Sequence, residues 1–174
     1  FKRLSLHSKL VISITIILIF IGMIIFYSIE QNNPDTLLNF SRGEKVLSAF
    51  FQSVVTRTAG FNSVDTSMLY DTTAFIIIIL MFVGGSPGST AGGVKTTTFG
   101  TIILATFSVI RGDKDVVVFK KRLNQNIINR SLAIVSIGLT LILAVSVILT
   151  ITEDANFLDV LFETTSAFGT VGLS

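Results

Sequence analysis

Residues 43–62 read GEKVLSAFFQSVVTRTAGFN, a half-polar segment that ends in a Thr-Ala-Gly-Phe strip. The part before the strip, Gly43–Thr56, makes only about 20 Å of helix at roughly 1.5 Å per residue, too little to cross a hydrocarbon core of about 30 Å. It also carries Glu44, Lys45 and Gln52, which are costly against lipid. A half-length helix that enters a membrane and turns back satisfies both facts. Non-helical backbone at membrane depth is tolerated only where protein buries it or where it lines a water-filled cavity.

The flanking sequence supplies that membrane. Leu10–Ile29 is 20 residues without a charge, Thr72–Phe107 has Lys95 as its only charge, and Ser131–Thr152 has none. Each run is long enough to span. Only 14% of residues are charged, against about 25% in soluble domains, so a soluble fold is excluded. Phe1-Lys2-Arg3 before the first run resembles the start of a signal peptide. No clear small-residue cleavage site follows it and further spans do, which makes the run a transmembrane helix. The absence of cysteine excludes disulfides and thiolate metal sites. The composition therefore predicts an all-α membrane protein.

Charge in the connections sets the orientation. Residues 1–9 hold Lys2, Arg3 and Lys9 with no acid, and 111–130 holds Arg111, Lys114, Lys120, Lys121, Arg122 and Arg130 against Asp113 and Asp115. Glu30–Thr73 has three bases against five acids, and Glu153–Glu163 has four acids and no base. The positive-inside rule places 1–9 and 111–130 in the cytoplasm and the acidic segments outside.

The strip recurs. At an offset of 112, Phe50 falls on Phe162, Thr58 on Thr170 and Gly60 on Gly172, with Ala59 and Phe61 on Val171 and Leu173. Each copy follows a span and a short half-polar segment, the second being Ala155–Ala167 with Asp159 and Glu163. Repeats in the same topological position suggest a pseudo-symmetric assembly. A re-entrant helix points its partly negative C-terminus at the strip, which favours a cation there. Potassium exchanges its hydration shell for rings of oxygens, and backbone carbonyls supply them when alternating unusual dihedrals turn them to one axis. Glycine reaches such dihedrals without a Cβ penalty.

Thr72–Phe107 is about 54 Å as a straight helix, far more than a bilayer needs. Its middle, Gly84-Gly85-Ser86-Pro87-Gly88-Ser89-Thr90-Ala91-Gly92-Gly93, holds five glycines and a proline and cannot be helix interior. Thr73–Val83, about 16 Å of helix, puts this loop near the midplane, inward of Thr58–Asn62. It is one residue out of register with a phosphate-binding GxxxxGK[ST], because Val94 precedes Lys95. The loop is either a flexible gate or a static break that lets helices approach closely. Lys95 is either the gate's tether or a side chain that snorkels to the cytoplasmic interface. Arg57 either repels cations at a pore mouth or pairs with an acid behind the strip.

Three motifs carry a resemblance: Thr56-Arg57-Thr58-Ala59-Gly60-Phe61-Asn62, then Gly84–Lys95, then Ser166-Ala167-Phe168-Gly169-Thr170-Val171-Gly172-Leu173-Ser174. In order and spacing, over essentially the whole chain, they resemble the membrane subunits of the Ktr/Trk potassium-uptake family, most of all the Ktr type. The resemblance implies M1–P–M2 repeats with re-entrant pore loops. Residues 1–112 are then the third unit, with M1 at about 9–29, a pore helix at 44–56, the filter at 58–62 and a broken M2 at 72–110. Residues 113–130 form a cytoplasmic linker. Residues 131–174 are part of the fourth unit, with M1 at 131–152, a pore helix at 155–167 and the filter at 170–174.

Carried over residue by residue, the potassium-coordinating filter is Thr58, Ala59, Gly60, Phe61 and Asn62 with Thr170, Val171, Gly172 and Leu173. The gating loop is Gly84, Gly85, Ser86, Pro87, Gly88, Ser89, Thr90, Ala91, Gly92, Gly93 and Lys95. Pro87 departs from the small residue expected there. The resemblance further implies sodium-stimulated uptake in a bacterial plasma membrane, with no covalent cofactor and no nucleic acid. Its partners are the remaining repeats, a second subunit in a homodimer, a cytoplasmic nucleotide-binding ring of the RCK type, and the bilayer. A competing class is a secondary transporter that holds an organic solute at broken helices. Its midplane would offer mainly Ser, Thr and Lys95. An enzyme is not expected: the one histidine, His7, lies at a membrane edge, and no carboxylate pair or HExxH falls within a span.

Overall fold

The computed structural model describes residues 5–113, 115–119 and 121–174. Lys2, Arg3, Lys114 and Lys120, expected on the cytoplasmic side, lie outside the described residues. The elements are α1 (Leu6–Glu30), α2 (Arg42–Val55), a 3₁₀ turn (Thr66–Met68), α3 (Asp71–Phe82) and α4 (Thr96–Arg111), then a two-strand hairpin, β1 (Val117–Val118) and β2 (Lys121–Arg122), and finally α5 (Gln125–Thr152) and α6 (Phe157–Gly169).

The fold is mostly helical, and the hairpin corrects the all-α expectation. Val117 pairs with Arg122 and Val118 with Lys121. The β-branched run at 116–118 favours extended backbone. Val118 packs with Leu10 and Leu123, and Arg122 pairs with Asp115 at 2.7 Å. α5 begins at Gln125, ahead of the apolar run from Ser131. Asn124 caps α5 by accepting from the Asn126 N–H at 3.0 Å, so Arg130 belongs to the helix.

α1 begins at a Ser5 cap and runs through to Glu30, with the Gln31 N–H bonding the Tyr27 carbonyl at its end. Fully buried, Glu30 accepts from Asn33 Nδ2 and Thr36 Oγ1, both at 2.6 Å, and from the Tyr70 N–H at 3.1 Å. A buried carboxylate needs such partners. These three tie the end of α1 to the following loop and to the start of α3.

α2 leans on α1 where Gly22 removes a side chain. A Cβ there would lie 2.4 Å from Ser53 Oγ, which donates to the Ile19 carbonyl at 2.8 Å. Close packing and interhelical hydrogen bonds, rather than apolar burial, associate helices in lipid. The core joins α1, α2, α3 and α6 through Phe26, Val55, Ile77, Met81, Phe162 and Val171.

By length and composition, α1 and α5 can each cross a membrane, and α3 and α4 are shorter apolar helices. Ile24 on α1 and Ile137 on α5 are 59% and 69% exposed. Helices apolar all round, with such open faces, present the surface that lipid or neighbouring helices cover.

Candidate functional site

Both Thr-x-Gly strips begin where a short helix ends. α2 starts at a capping box, in which Ser41 Oγ accepts from the Glu44 N–H at 3.4 Å and Glu44 accepts from the Ser41 N–H at 2.8 Å. Hydrogen bonding with Ser41 lowers the Glu44 carboxyl pKa from its ordinary value. At its other end the Arg57 N–H reaches the Val54 carbonyl and the Ala59 N–H reaches Val55, at 2.9 and 3.2 Å. α6 ends more tightly: the Thr170 N–H bonds Ala167 at 3.1 Å, the Val171 N–H bonds Ser166 at 2.9 Å, and the Leu173 N–H bonds Ser166 Oγ at 3.0 Å.

The strips then take the same backbone course. φ is 72° at Thr58 and 69° at Gly60, and 53° at Thr170 and 82° at Gly172. Threonine is β-branched and rarely enters this left-handed region, so the surroundings must hold both threonines there. The strips lie side by side: a Cβ on Gly60 would sit 2.9 Å from the Val171 carbonyl oxygen, and one on Gly172 would sit 3.5 Å from Gly60 Cα. Thr66 Oγ1 donates to the Ser174 carbonyl at 2.5 Å and links their outer ends. In the second strip burial alternates. Val171 and Leu173 are buried, whereas Thr170, Gly172 and Ser174 are exposed along one edge. Ala59, Gly60, Phe61 and Asn62 are all exposed.

The glycine-rich segment leaves α3 and rejoins α4 as a pinched loop. Val83 and Val94 form a bridge, the Val94 N–H bonds Phe82 at 3.0 Å, and the Thr96 N–H bonds Gly85 at 3.2 Å. Pro87 has a physical reason. The Ser89 N–H bonds the Ser86 carbonyl at 3.2 Å and Gly88 has φ 84°, the pattern of a type II turn with proline at its second position. Lys95 Nζ donates to the Ala91 carbonyl within the same loop.

Sequence reasoning set this loop beneath the first strip. Arg57, Thr58, Ser86, Ser89 and Thr90 do line one cavity of about 260 Å³. The loop's direct bonds, however, go to the second strip. The Gly92 N–H donates to Thr170 Oγ1 at 2.7 Å, and the Gly93 N–H to the Phe168 carbonyl at 3.2 Å. Phe82 and Phe168 stack with ring centroids 6.0 Å apart, which joins the end of α3 to the end of α6. Arg57 pairs with no acid among the described residues. It donates from Nη1 to the Val83 carbonyl at 3.1 Å, at the end of α3 where the helix leaves carbonyls unpaired.

Ser166 and Phe168 stood in the quoted motif without a role, and the repeat gave no signal for Ser166, because its counterpart at the offset of 112 is Val54.

Two short helices thus each end in a strip with a left-handed threonine and glycine, and the glycine-rich loop is hydrogen-bonded to the second. The family of TrkH cation transport proteins matches residues 4–174, and the chain belongs to it. That family is one of transport proteins rather than enzymes. Over all 174 residues it is 40% identical to Ktr system potassium uptake protein B of Vibrio alginolyticus and 41% identical to the protein of the same name from Bacillus subtilis. It spans 38% and 39% of the lengths of those relatives. The crystal structure of the potassium transporter TrkH from Vibrio parahaemolyticus superposes with a TM-score of 0.68 at 16% identity, covering 92% of this chain and 42% of that one, which establishes the shared fold.

Proposed function

We propose that this chain supplies two quarters of a potassium-selective filter in a multi-pass uptake protein. Residues 1–112 form an M1–P–M2 unit with α2 as its re-entrant pore helix, and 131–174 form the next unit as far as its strip, with α6 in the same role. The carbonyls of Thr58, Ala59, Gly60, Phe61 and Asn62, and of Thr170, Val171, Gly172 and Leu173, coordinate potassium. The observation that carries this reading is the matched pair of left-handed residues in each strip, with the two strips side by side. Alternating left-handed and extended residues turn successive carbonyls to one side, and ion selection by backbone oxygens needs that geometry.

The loop Gly84–Lys95 acts as the gate, with Lys95 as its brace and Gly92 as its contact to the filter. The relatives named potassium uptake proteins support potassium as the ion. Residues 1–9 and the segment from 111 face the cytoplasm, and a regulatory nucleotide-binding ring acts there on a homodimer whose uptake sodium stimulates. The test is Gly60→Ser and Gly172→Ser in the full-length protein. Each should reduce rubidium uptake relative to sodium uptake, since a Cβ at φ near 70–80° strains the strip. Unchanged discrimination in both variants rejects the filter.

A further inference from the structure

Behind the first strip, α1, α2 and α3 enclose a cavity with about 10 Å³ of room for the centre of a water-sized molecule. Phe26 and Ile77 are among its apolar walls, and Gln52, Ser53, Thr56 and Thr73 supply its polar groups. Two of the four hydroxyl and amide groups are satisfied. Ser53 Oγ donates to the Ile19 carbonyl and Thr56 Oγ1 to the Ser53 carbonyl, both at 2.8 Å. The others are not: Gln52 Oε1, Gln52 Nε2 and Thr73 Oγ1 have no partner among the described residues. Gln52 and Thr73 are each 1% exposed, so bulk water does not reach them.

Orphaned buried polar groups are costly, and native proteins pair nearly all of them. The kinds of orphan identify the occupant. A cation would serve Gln52 Oε1 and Thr73 Oγ1 but would face the Nε2 donor, and no carboxylate lines the cavity. An anion would serve Nε2 and face Oε1. Water donates and accepts at once, and roughly 10–15 Å³ on this measure is what one water needs.

We propose that a single buried water bridges Gln52 on α2 and Thr73 on α3, fastening the short helix to its neighbour one turn before Thr56. Gln52 is then a positioning residue for Thr58–Phe61. That last step rests on the filter reading above; the bridge itself does not.

Melting of the full-length protein in detergent, followed by tryptophan-independent dye binding, tests the bridge. Thr73→Val, which removes only the hydroxyl, should lower Tm, whereas Thr73→Ser should keep it. Gln52→Leu should also lower Tm, and the double variant with Thr73→Val should melt no lower than the worse single, because both lose the same water. A Thr73→Val protein that melts at or above wild type overturns the bridge, since removing an unserved hydroxyl from a dry cavity relieves a penalty. A Tm that rises when sodium replaces choline, and does so only with Thr73 and Gln52 intact, overturns it in favour of an ion. The Thr73 pair decides the matter even if Gln52→Leu fails to fold. Rubidium against sodium uptake by Thr73→Val then separates the two readings: the predicted melting pattern with unchanged discrimination retains the bridge and removes its role at the filter.

Discussion

Thr58–Asn62 and Thr170–Ser174 turn through the same pair of positive-φ positions, yet their surroundings differ. The second strip is held from three sides. Ser166 Oγ takes the Leu173 N–H, Val171 and Leu173 pack into the core, and the glycine-rich loop donates to Thr170 from below. The first strip is exposed from Ala59 to Asn62, and the groups near its base are Arg57 and the loop's polar tip. A repeated backbone thus carries two jobs. One copy is braced and bonded to the loop, and the other is exposed. Sequence similarity alone makes the copies look equivalent.

The largest contrast should come from the strip glycines. Gly60→Ala meets the Val171 carbonyl at 2.9 Å as well as the left-handed penalty of about 1–2 kcal/mol, whereas Gly172→Ala meets only the penalty, with Gly60 Cα at an ordinary 3.5 Å. Thermal melting of the two full-length variants should place Gly60→Ala clearly lower. Equal melting would mean that the strips are not in contact as described.

A smaller contrast lies in the loop. A Cβ on Gly92 would sit 2.8 Å from both the Phe168 carbonyl and Thr170 Cγ2, while one on Gly88 meets no atom and carries only the left-handed penalty of its φ of 84°. Gly92→Ala should therefore push the loop off the second strip and change rubidium flux, and Gly88→Ala should affect flux much less. Similar fluxes in the two variants would favour a static break over a gate.

The smallest contrast concerns the two threonines. Thr170→Val loses the bond from the Gly92 N–H, about 1 kcal/mol, whereas the Thr58 hydroxyl makes no hydrogen bond among the described residues. Thr170→Val should lower the melting temperature more than Thr58→Val does. The reverse order would show that the loop does not depend on this contact.

Which parts of this were legible beforehand follows from the range of each signal. The short helices announced themselves through their length and the polar residues Gln52 and Glu44, and the break in the long apolar run through its five glycines. Those are local properties. The attachment of the loop to the second strip joins residues 78 positions apart, and no periodicity or composition encodes such a pairing. The partner of Arg57 is likewise distant in sequence. The charge of Arg57 suggested a carboxylate, but among the described residues its Nη1 donates to the Val83 carbonyl left bare at the broken end of α3, while Nε and Nη2 have no partner. The hairpin at 117–122 went unnoticed because charges dominate that segment, although Val116, Val117 and Val118 carried the β signal. Pro87 looked like a misfit only until its neighbours were seen to form a turn that favours it.

The central claim is that both strips point carbonyls at one ion path. Anomalous scattering from rubidium bound to the full-length protein measures this directly. The account predicts rubidium peaks on an axis shared by residues 58–61 and 170–173, within coordination distance of their backbone oxygens. Rubidium bound only elsewhere, with those carbonyls turned away from the axis, would contradict it.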